Sequence, residues 1–337
     1  MNHIRSDYDQ NKLTIILPND ETKPINCSLC PGNENMTNLS IVSLVAKDGL
    51  LQRLQDSADN YIINWTIRIF ESSNPVVSTK VDELYSDSPL YMEPAYGYHY
   101  IVVASSKHEE TFATISIEQW SNIIVILQDR LRWLYTKKKI TYVAIYINYR
   151  KIDTGETSIH PHINMVALSI IPPTIEKESQ ISHKIINDKG ICPMCQIIND
   201  ESNEERQILQ TDSFIAFCPW SSSYPFEFCI CPKKHITNFS QITQKEISDL
   251  ALILRSTLGG MSKSIKNPSY DLIFHLSPEK KNNKQIHWHI EIYPLTKAVS
   301  GIERGYNIYL NNVHPEKAAT ILGNACRKEL ASLIGII

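Results

Sequence analysis

One set of metal-binding residue types is written twice in this chain, and it constrains the fold more than any other feature. In the first half, Cys27-Ser-Leu-Cys30 is followed by His108 and by His160-Pro-His162. In the second half, Cys192-Pro-Met-Cys195 is followed by His235 and by His287-Trp-His289. The step from His108 to His160 and the step from His235 to His287 are both 52 positions. A duplicated, metal-stapled unit accounts for that match. Each copy offers two thiols and two imidazoles, the donor set of a closed tetrahedral zinc site. Each also leaves one histidine, His162 or His289, two positions beyond the last ligand.

A lone C-x-x-C would serve equally well as a redox dithiol. The matched histidines favour zinc at Cys27, Cys30, His108 and His160, and again at Cys192, Cys195, His235 and His287. Four protein ligands leave no open coordination position, so both metals are expected to be structural.

At 337 residues the chain exceeds one ordinary domain, and two are expected. A net charge of −3 gives no reason to expect a nucleic-acid surface. The polar start has no signal-peptide core, and no apolar run approaches the ~20 residues of a membrane span. The expectation is a cytoplasmic protein with neither nucleic acid nor membrane as partner. Without a secretion signal the remaining Cys218, Cys229, Cys231 and Cys326 read as small buried apolar residues rather than a disulfide framework.

The repeat extends beyond the ligands. Trp65 to Phe70 answers Phe214 to Phe217, and Tyr98 to Val103 answers Phe226 to Ile230, all apolar and β-branched or aromatic, as strands are. Ile117 to Leu134 and Gln244 to Ile265 carry apolar residues at helical spacing. Strands Ile140–Ile147, His162–Leu168, Tyr270–His275 and His287–Tyr293 complete the two units. Each reads strand, strand, long helix, strand, strand, an α+β pattern with a mostly antiparallel sheet. The expected division is an N-terminal unit at 1–174, a polar linker at 175–190 and a C-terminal unit at 191–337, with a helix over the tail from His314 to Ile334 and a hairpin-type loop over Pro278 to Lys284.

A metal on His160 would anchor the start of a strand whose same face presents His162 and then Asn164. From spacing alone His162 is either a nucleophilic imidazole or a hydrogen-bonded strand histidine. His99 and His275 read as core or hydrogen-bonded residues.

Cys27-Ser-Leu-Cys-Pro-Gly-Asn-Glu34, Ser106-Lys-His108, His160-Pro-His162 and His287-Trp-His-Ile-Glu-Ile-Tyr-Pro294 together resemble the galactose-1-phosphate uridylyltransferase family, part of the histidine-triad superfamily. The second C-x-x-C and Met165-Val-Ala-Leu-Ser-Ile-Ile-Pro-Pro173 resemble its two-zinc branch, which includes the ADP-glucose phosphorylases. The resemblance implies two tandem histidine-triad-like units, two structural zincs and a homodimer. It implies that a nucleoside monophosphate, UMP favoured, moves between sugar 1-phosphates on His162. It places Asn164 and Thr157 on the phosphates and Ser72 by the base. It makes Glu303 and Tyr309 substrate contacts, because Gly301-Ile-Glu-Arg-Gly-Tyr-Asn-Ile-Tyr309 resembles a family loop near the sugar phosphate.

The sequence departs from the family pattern around the nucleotide. Asn164 stands where Gln is usual, one methylene shorter, and is expected to draw its amide back by about 1 Å. Ile163 replaces a small residue and is expected to stiffen the segment and crowd the phosphate. Asn148-Tyr-Arg-Lys151 replaces a glycine-rich stretch; Arg150 and Lys151 either restore positive charge near the phosphates or form a solvated loop. Ser72-Ser-Asn74 replaces an Asn-x-Phe segment, and only Lys23 is basic in the N-terminal stretch where relatives carry arginines. The rival readings are an ADP-sugar phosphorylase or adenylyltransferase, and a zinc-stapled nucleotide-binding protein with reduced catalysis. His289 and Glu291 are expected in a supporting role or as ligands of an accessory metal.

Overall fold

The computed structural model describes residues 2–7, 12–17, 27–81, 85–87, 89–150, 160–278 and 285–336. The chain begins with short strands β1 (His3–Ser6) and β2 (Leu13–Ile16), then β3 (Ser40–Lys47), β4 (Leu50–Leu54), β5 (Trp65–Glu71), β6 (Tyr91–Pro94) and β7 (Gly97–Val103). Helix α1 (Ile117–Tyr135) separates these from β8 (Tyr142–Tyr149) and β9 (His162–Leu168). Two helices follow, α2 (Pro173–Lys189) and α3 (Pro193–Glu201). The second half continues with β10 (Gln207–Gln210), β11 (Phe214–Phe217), β12 (Phe228–Pro232), α4 (Gln244–Ser264), β13 (Tyr270–His275) and β14 (His289–Pro294). It closes with α5 (Gly301–Tyr306) and α6 (Pro315–Leu333).

The expected α+β pattern and long helix of each unit are present, and the sheets of the two units are joined. One antiparallel sheet runs β10-β11-β12-β14-β13-β8-β9-β7-β5-β3-β4. Its order is nearly symmetric about the β13–β8 junction: β11-β12-β14-β13 on one side mirrors β5-β7-β9-β8 on the other. The junction is paired from Tyr270–Tyr149 to Phe274–Ile145. Arg150 belongs to it, with Nη2 2.6 Å from Asp271 and Nη1 donating to the Tyr270 carbonyl at 3.1 Å. That engagement answers the question left by the sequence: Arg150 fastens the two units together, while Lys151 lies outside the described residues.

The strand alternation divides the residues between two faces. Ile163, Met165, Ile145, Ile147, Leu272, Phe274, Ile290 and Ile292 point to the helix side and merge with α1, α4 and α6 into one buried core. That core spans both units. Helix α4 starts with a capping box between Thr243 and Glu246. It approaches α6 so closely that a Cβ on Gly260 would lie 2.6 Å from the Cys326 backbone nitrogen. Cys218, Cys229, Cys231 and Cys326 are buried, as read from the sequence.

The opposite face carries the polar chemistry. There β2-β1-β6 forms a small separate sheet over Val166. Most of the stretch read as a linker is helix α2, which lies across this face against Tyr142 and Ile286. Its start is set by Pro173 and its end by Gly190 at φ 70°. Among the described residues no helix is long and apolar enough to cross a membrane. All of the loop expected at 278–284 except Pro278 lies outside the described residues.

Candidate active site and metal clusters

The first cluster draws on three segments. The Cys27–Cys30 turn takes its shape from the residues that follow. Gly32 sits at φ 91°, where a side chain would be strained. The Asn33 amide donates to the Cys27 carbonyl at 2.8 Å. The buried Glu34 carboxylate accepts from the Gly32 N–H at 2.9 Å and from the Trp65 indole at 2.8 Å. Because Trp65 opens β5, Glu34 clips the turn to the sheet. His108 follows β7 and His160 precedes β9.

His160 has its tautomer fixed. The Ser105 carbonyl, 2.8 Å from Nε2, can only accept, so the lone pair lies on Nδ1. Nδ1 faces the cluster, 3.6 Å from Cys30 Sγ and 3.3 Å from His108 Nδ1, and Cys30 Sγ is 3.2 Å from His108 Nδ1. A tetrahedron with metal–sulfur ~2.3 Å and metal–nitrogen ~2.0 Å has edges of about 3.5 Å and 3.3 Å. The donors therefore fit around one tetrahedral ion. Burial pushes His160 down to about 4, keeping the ring neutral, while burial and the neighbouring Cys27 push the Cys30 thiol up to about 11. A cation among the sulfurs would reverse the second effect.

The second cluster repeats the first. Cys195 Sγ lies 3.3 Å from His235 Nδ1 and 3.5 Å from His287 Nδ1. In each set the four donor atoms lie within 4.8 Å of one another. The sequence thus located both sets in full. It did not locate a third group, in which Glu178 of α2 meets His275 and His289. His275 spans two carboxylates, with Nδ1 3.0 Å from Glu178 and Nε2 3.0 Å from Glu291. Burial opposes charge on His289, yet the hydrogen bond to Glu291 and the nearby Glu178 hold it up at about 10. Glu178 gave no signal because it lies in the stretch read as a linker.

His162 is the first residue of β9, and its Nδ1 lies 2.9 Å from the His160 carbonyl. That oxygen forces the proton onto Nδ1 and the lone pair onto Nε2. Burial lowers the ring's pKa below the usual 6.5. Asn164 follows on the same face and is buried. Its position is governed by His99, read from the sequence as a core or hydrogen-bonded residue and found here to be both buried and hydrogen-bonded. The Val76 N–H donates to His99 Nδ1 at 3.3 Å, so His99 Nε2–H donates to Asn164 Oδ1 at 3.1 Å. The amide oxygen is thereby engaged and its NH₂ group is the remaining donor. The sequence offered no cue that the partner of His99 would be Asn164.

Ser72 is brought to this place, its N–H donating to the His99 carbonyl at 2.8 Å. Leu29, Phe70, Ile101 and Val103 form an apolar cluster beside it, built on Trp65. Ile163 does not crowd this face: it is fully buried on the helix side, paired with Val102. The expectation of crowding fails because adjacent strand residues point to opposite faces. Thr157 lies outside the described residues. Glu303 and Tyr309 sit by the second unit. The Glu303 carboxylate is engaged by Lys297 and by the N–H groups of Ser300 at 2.7 Å and Leu310 at 3.0 Å. The Tyr309 ring centroid is 6.2 Å from that of Tyr224. A cavity of about 1140 Å³, lined by Glu93, Ser169 and Thr174 among others, lies at the far end of β9 and touches neither His162 nor Asn164.

Comparison with known proteins agrees with this geometry. The profile for the galactose-1-phosphate uridyl transferase N-terminal domain matches residues 67–172, and that for the C-terminal domain matches residues 174–331. An ADP-glucose phosphorylase of Arabidopsis thaliana is 25% identical over 311 residues, covering 90% of this chain and 83% of its own. A galactose-1-phosphate uridylyltransferase of Thermotoga maritima is 27% identical over 240 residues, covering 68% and 75%. A solved uridylyltransferase superposes with a TM-score of 0.82 at 23% identity, over 97% of this chain and 99% of that one, and shares its fold. The chain is a nucleotidyltransferase that belongs to the galactose-1-phosphate uridylyltransferase family.

Proposed function

We propose that this enzyme moves UMP between sugar 1-phosphates through a nucleotidyl-His162 intermediate. The observation that carries the reading is the paired constraint on His162 and Asn164. The His160 carbonyl directs the His162 lone pair to Nε2, and His99 leaves Asn164 with its amide NH₂ to donate. In the first half-reaction Nε2 attacks the α-phosphorus of a nucleotide sugar, and the bond to the departing sugar 1-phosphate oxygen breaks. The imidazolium keeps its Nδ1–H on the His160 carbonyl. In the second, an oxygen of an incoming sugar 1-phosphate attacks the same phosphorus, the P–N bond breaks, and His162 is regenerated. Asn164, with Thr157, donates to the phosphoryl oxygens. Ser72 and the apolar patch of Leu29 and Ile101 frame the base, and Tyr309 contacts the sugar side, on the loop that Glu303 braces.

In this reading both Cys/His clusters hold structural zinc, which the tetrahedral donor spacing suits. The first would tie the Cys27 turn to the strand that carries His162. The protein is proposed to act as a cytoplasmic homodimer on nucleotide sugars and sugar 1-phosphates, without nucleic acid. A second reading, ADP-sugar phosphorolysis with phosphate as acceptor, is favoured by the likeness to the Arabidopsis ADP-glucose phosphorylase over 90% of the chain.

The test is covalent labelling. Incubated with UDP-glucose or ADP-glucose labelled in the α-phosphate, the wild-type protein is expected to acquire acid-labile label, and the His162→Ala protein none. Label from ADP-glucose alone would select the phosphorylase. Label from neither would replace catalysis by simple nucleotide binding.

A further inference from the structure

Four cysteines take no part in the two Cys/His clusters, and two of them converge with a methionine. Cys229 and Cys231 alternate with Ile230 along β12, so both point to the same face of the sheet, away from the shared core that holds Ile230. Both are buried free thiols. Cys231 Sγ lies 3.9 Å from Cys229 Sγ and 3.8 Å from Sδ of Met194, which stands in the first turn of α3. Those two sulfurs are the only hydrogen-bonding neighbours of Cys231 among the described residues. Cys229 Sγ otherwise reaches the Phe217 carbonyl at 3.6 Å. Ile198, Ile215 and Phe217 pack around the group.

Apolar packing accounts for the burial of these residues, but the sulfur spacing has a further meaning. Sulfurs that share one ion at metal–sulfur bonds of ~2.3 Å stand about 3.8–4.0 Å apart, from tetrahedral to trigonal geometry. Both measured separations fall in that span. Zinc takes thiolate, imidazole and carboxylate, whereas a thioether among thiolates selects monovalent copper. A cavity of about 430 Å³, lined by Met194 and Cys229 among others, gives an ion a way in. Burial holds the Cys229 thiol neutral. An ion bound between the sulfurs displaces both thiol protons to solvent as the metal–sulfur bonds form.

We propose that Cys229, Cys231 and Met194 form a soft-metal site, for a monovalent cation of the Cu(I) class, separate from both Cys/His clusters. It takes no part in nucleotide transfer at His162. Met194 lies between Cys192 and Cys195 in the chain, so the ion sits beside the second cluster. Copper bound at the new site and copper exchanged into that cluster are told apart by counting both metals.

The full chain, first saturated with zinc, is titrated anaerobically with Cu(I) held by bathocuproine disulfonate, and copper and zinc are both measured by plasma emission. The wild-type protein is expected to take up one copper more than Cys231→Val, which keeps the side chain small and apolar, with zinc retained in both. Met194→Leu keeps both thiols and the packing. It is expected to weaken copper binding by at least about tenfold, since loss of even a supporting group costs ~10–100-fold. Should Cys231→Val lose its native melting transition, Met194→Leu decides. X-ray absorption at the copper edge is expected to show sulfur neighbours alone. Equal copper uptake by wild type and a folded Cys231→Val, unchanged affinity in Met194→Leu, or nitrogen neighbours would overturn the proposal. So would zinc release matching copper uptake, which would place the copper at Cys192 and Cys195.

Discussion

Two backbone carbonyls decide what the imidazoles of the first unit do. Ser105 turns the His160 lone pair toward Cys30 and His108, and His160 leaves the His162 lone pair on Nε2. The His162 pKa is lowered by burial, so the neutral ring that the proposed attack requires persists below the ordinary imidazole value of 6.5. The reactive fraction rises with pH through that lowered value and is constant above it. The rate of nucleotidyl-enzyme formation should therefore have its acid limb centred below pH 6.5. An acid limb centred above pH 7 in rapid-quench measurements would contradict this assignment. His99 acts on the same site through Asn164. His99→Phe should lower kcat by about 10- to 100-fold, the effect of a misplaced donor. His99→Gln should recover part of it, because its amide NH₂ can still donate to the Asn164 oxygen. Equal loss in both variants, with native melting, would point to packing alone.

At the level of elements, a metal ion in each cluster would fasten its C-x-x-C segment to the strands beside it. In the first unit that turn carries Leu29 into the apolar patch near His162. Cys30→Ser and Cys195→Ser should each release one metal equivalent and lower the melting temperature by about 5–10 °C, as expected for several kcal/mol. Only the first should also disable nucleotidyl transfer, since the second cluster ties α3 to β14 at a distance from His162. Metal content by plasma emission, melting and activity separate the two. Loss of transfer in both would mean that the second cluster holds the first in place. Helix α2 adds a connection of its own, because Glu178 reaches from it to His275 on the sheet.

Over the whole molecule, the two units are written separately and built together. The β8–β13 pairing, the stacked Tyr149 and Tyr270 rings 5.0 Å apart, and the Gln128 amide donating to the Phe239 carbonyl at 2.8 Å all cross between them. The core on the helix side is shared. Calorimetry should show one cooperative transition. Residues 1–174 or 191–337 expressed alone should be insoluble or unfolded, since either half would expose β8 or β13 along its length. Two resolved transitions, or a well-folded half, would show that the units are independent.

The sequence by itself determined whatever depends on local order and residue type. The matched spacing picked out the eight cysteines and histidines that the fold gathers into two clusters able to hold a metal ion. Periodicities of two and near four marked most of the strands and the helices at 117–135, 244–264 and 315–333. Tertiary structure alone decided what depends on partners distant in the chain. His99 became the holder of Asn164, Arg150 a junction residue, Ile163 a core residue, and the polar stretch after Pro173 a helix that delivers Glu178. Each outcome rests on a contact made across strands or between units, and such contacts leave no trace in the neighbouring residues. The two units also closed into one sheet because β8 and β13 satisfy each other's backbone groups, a pairing that neither strand's own residues announce.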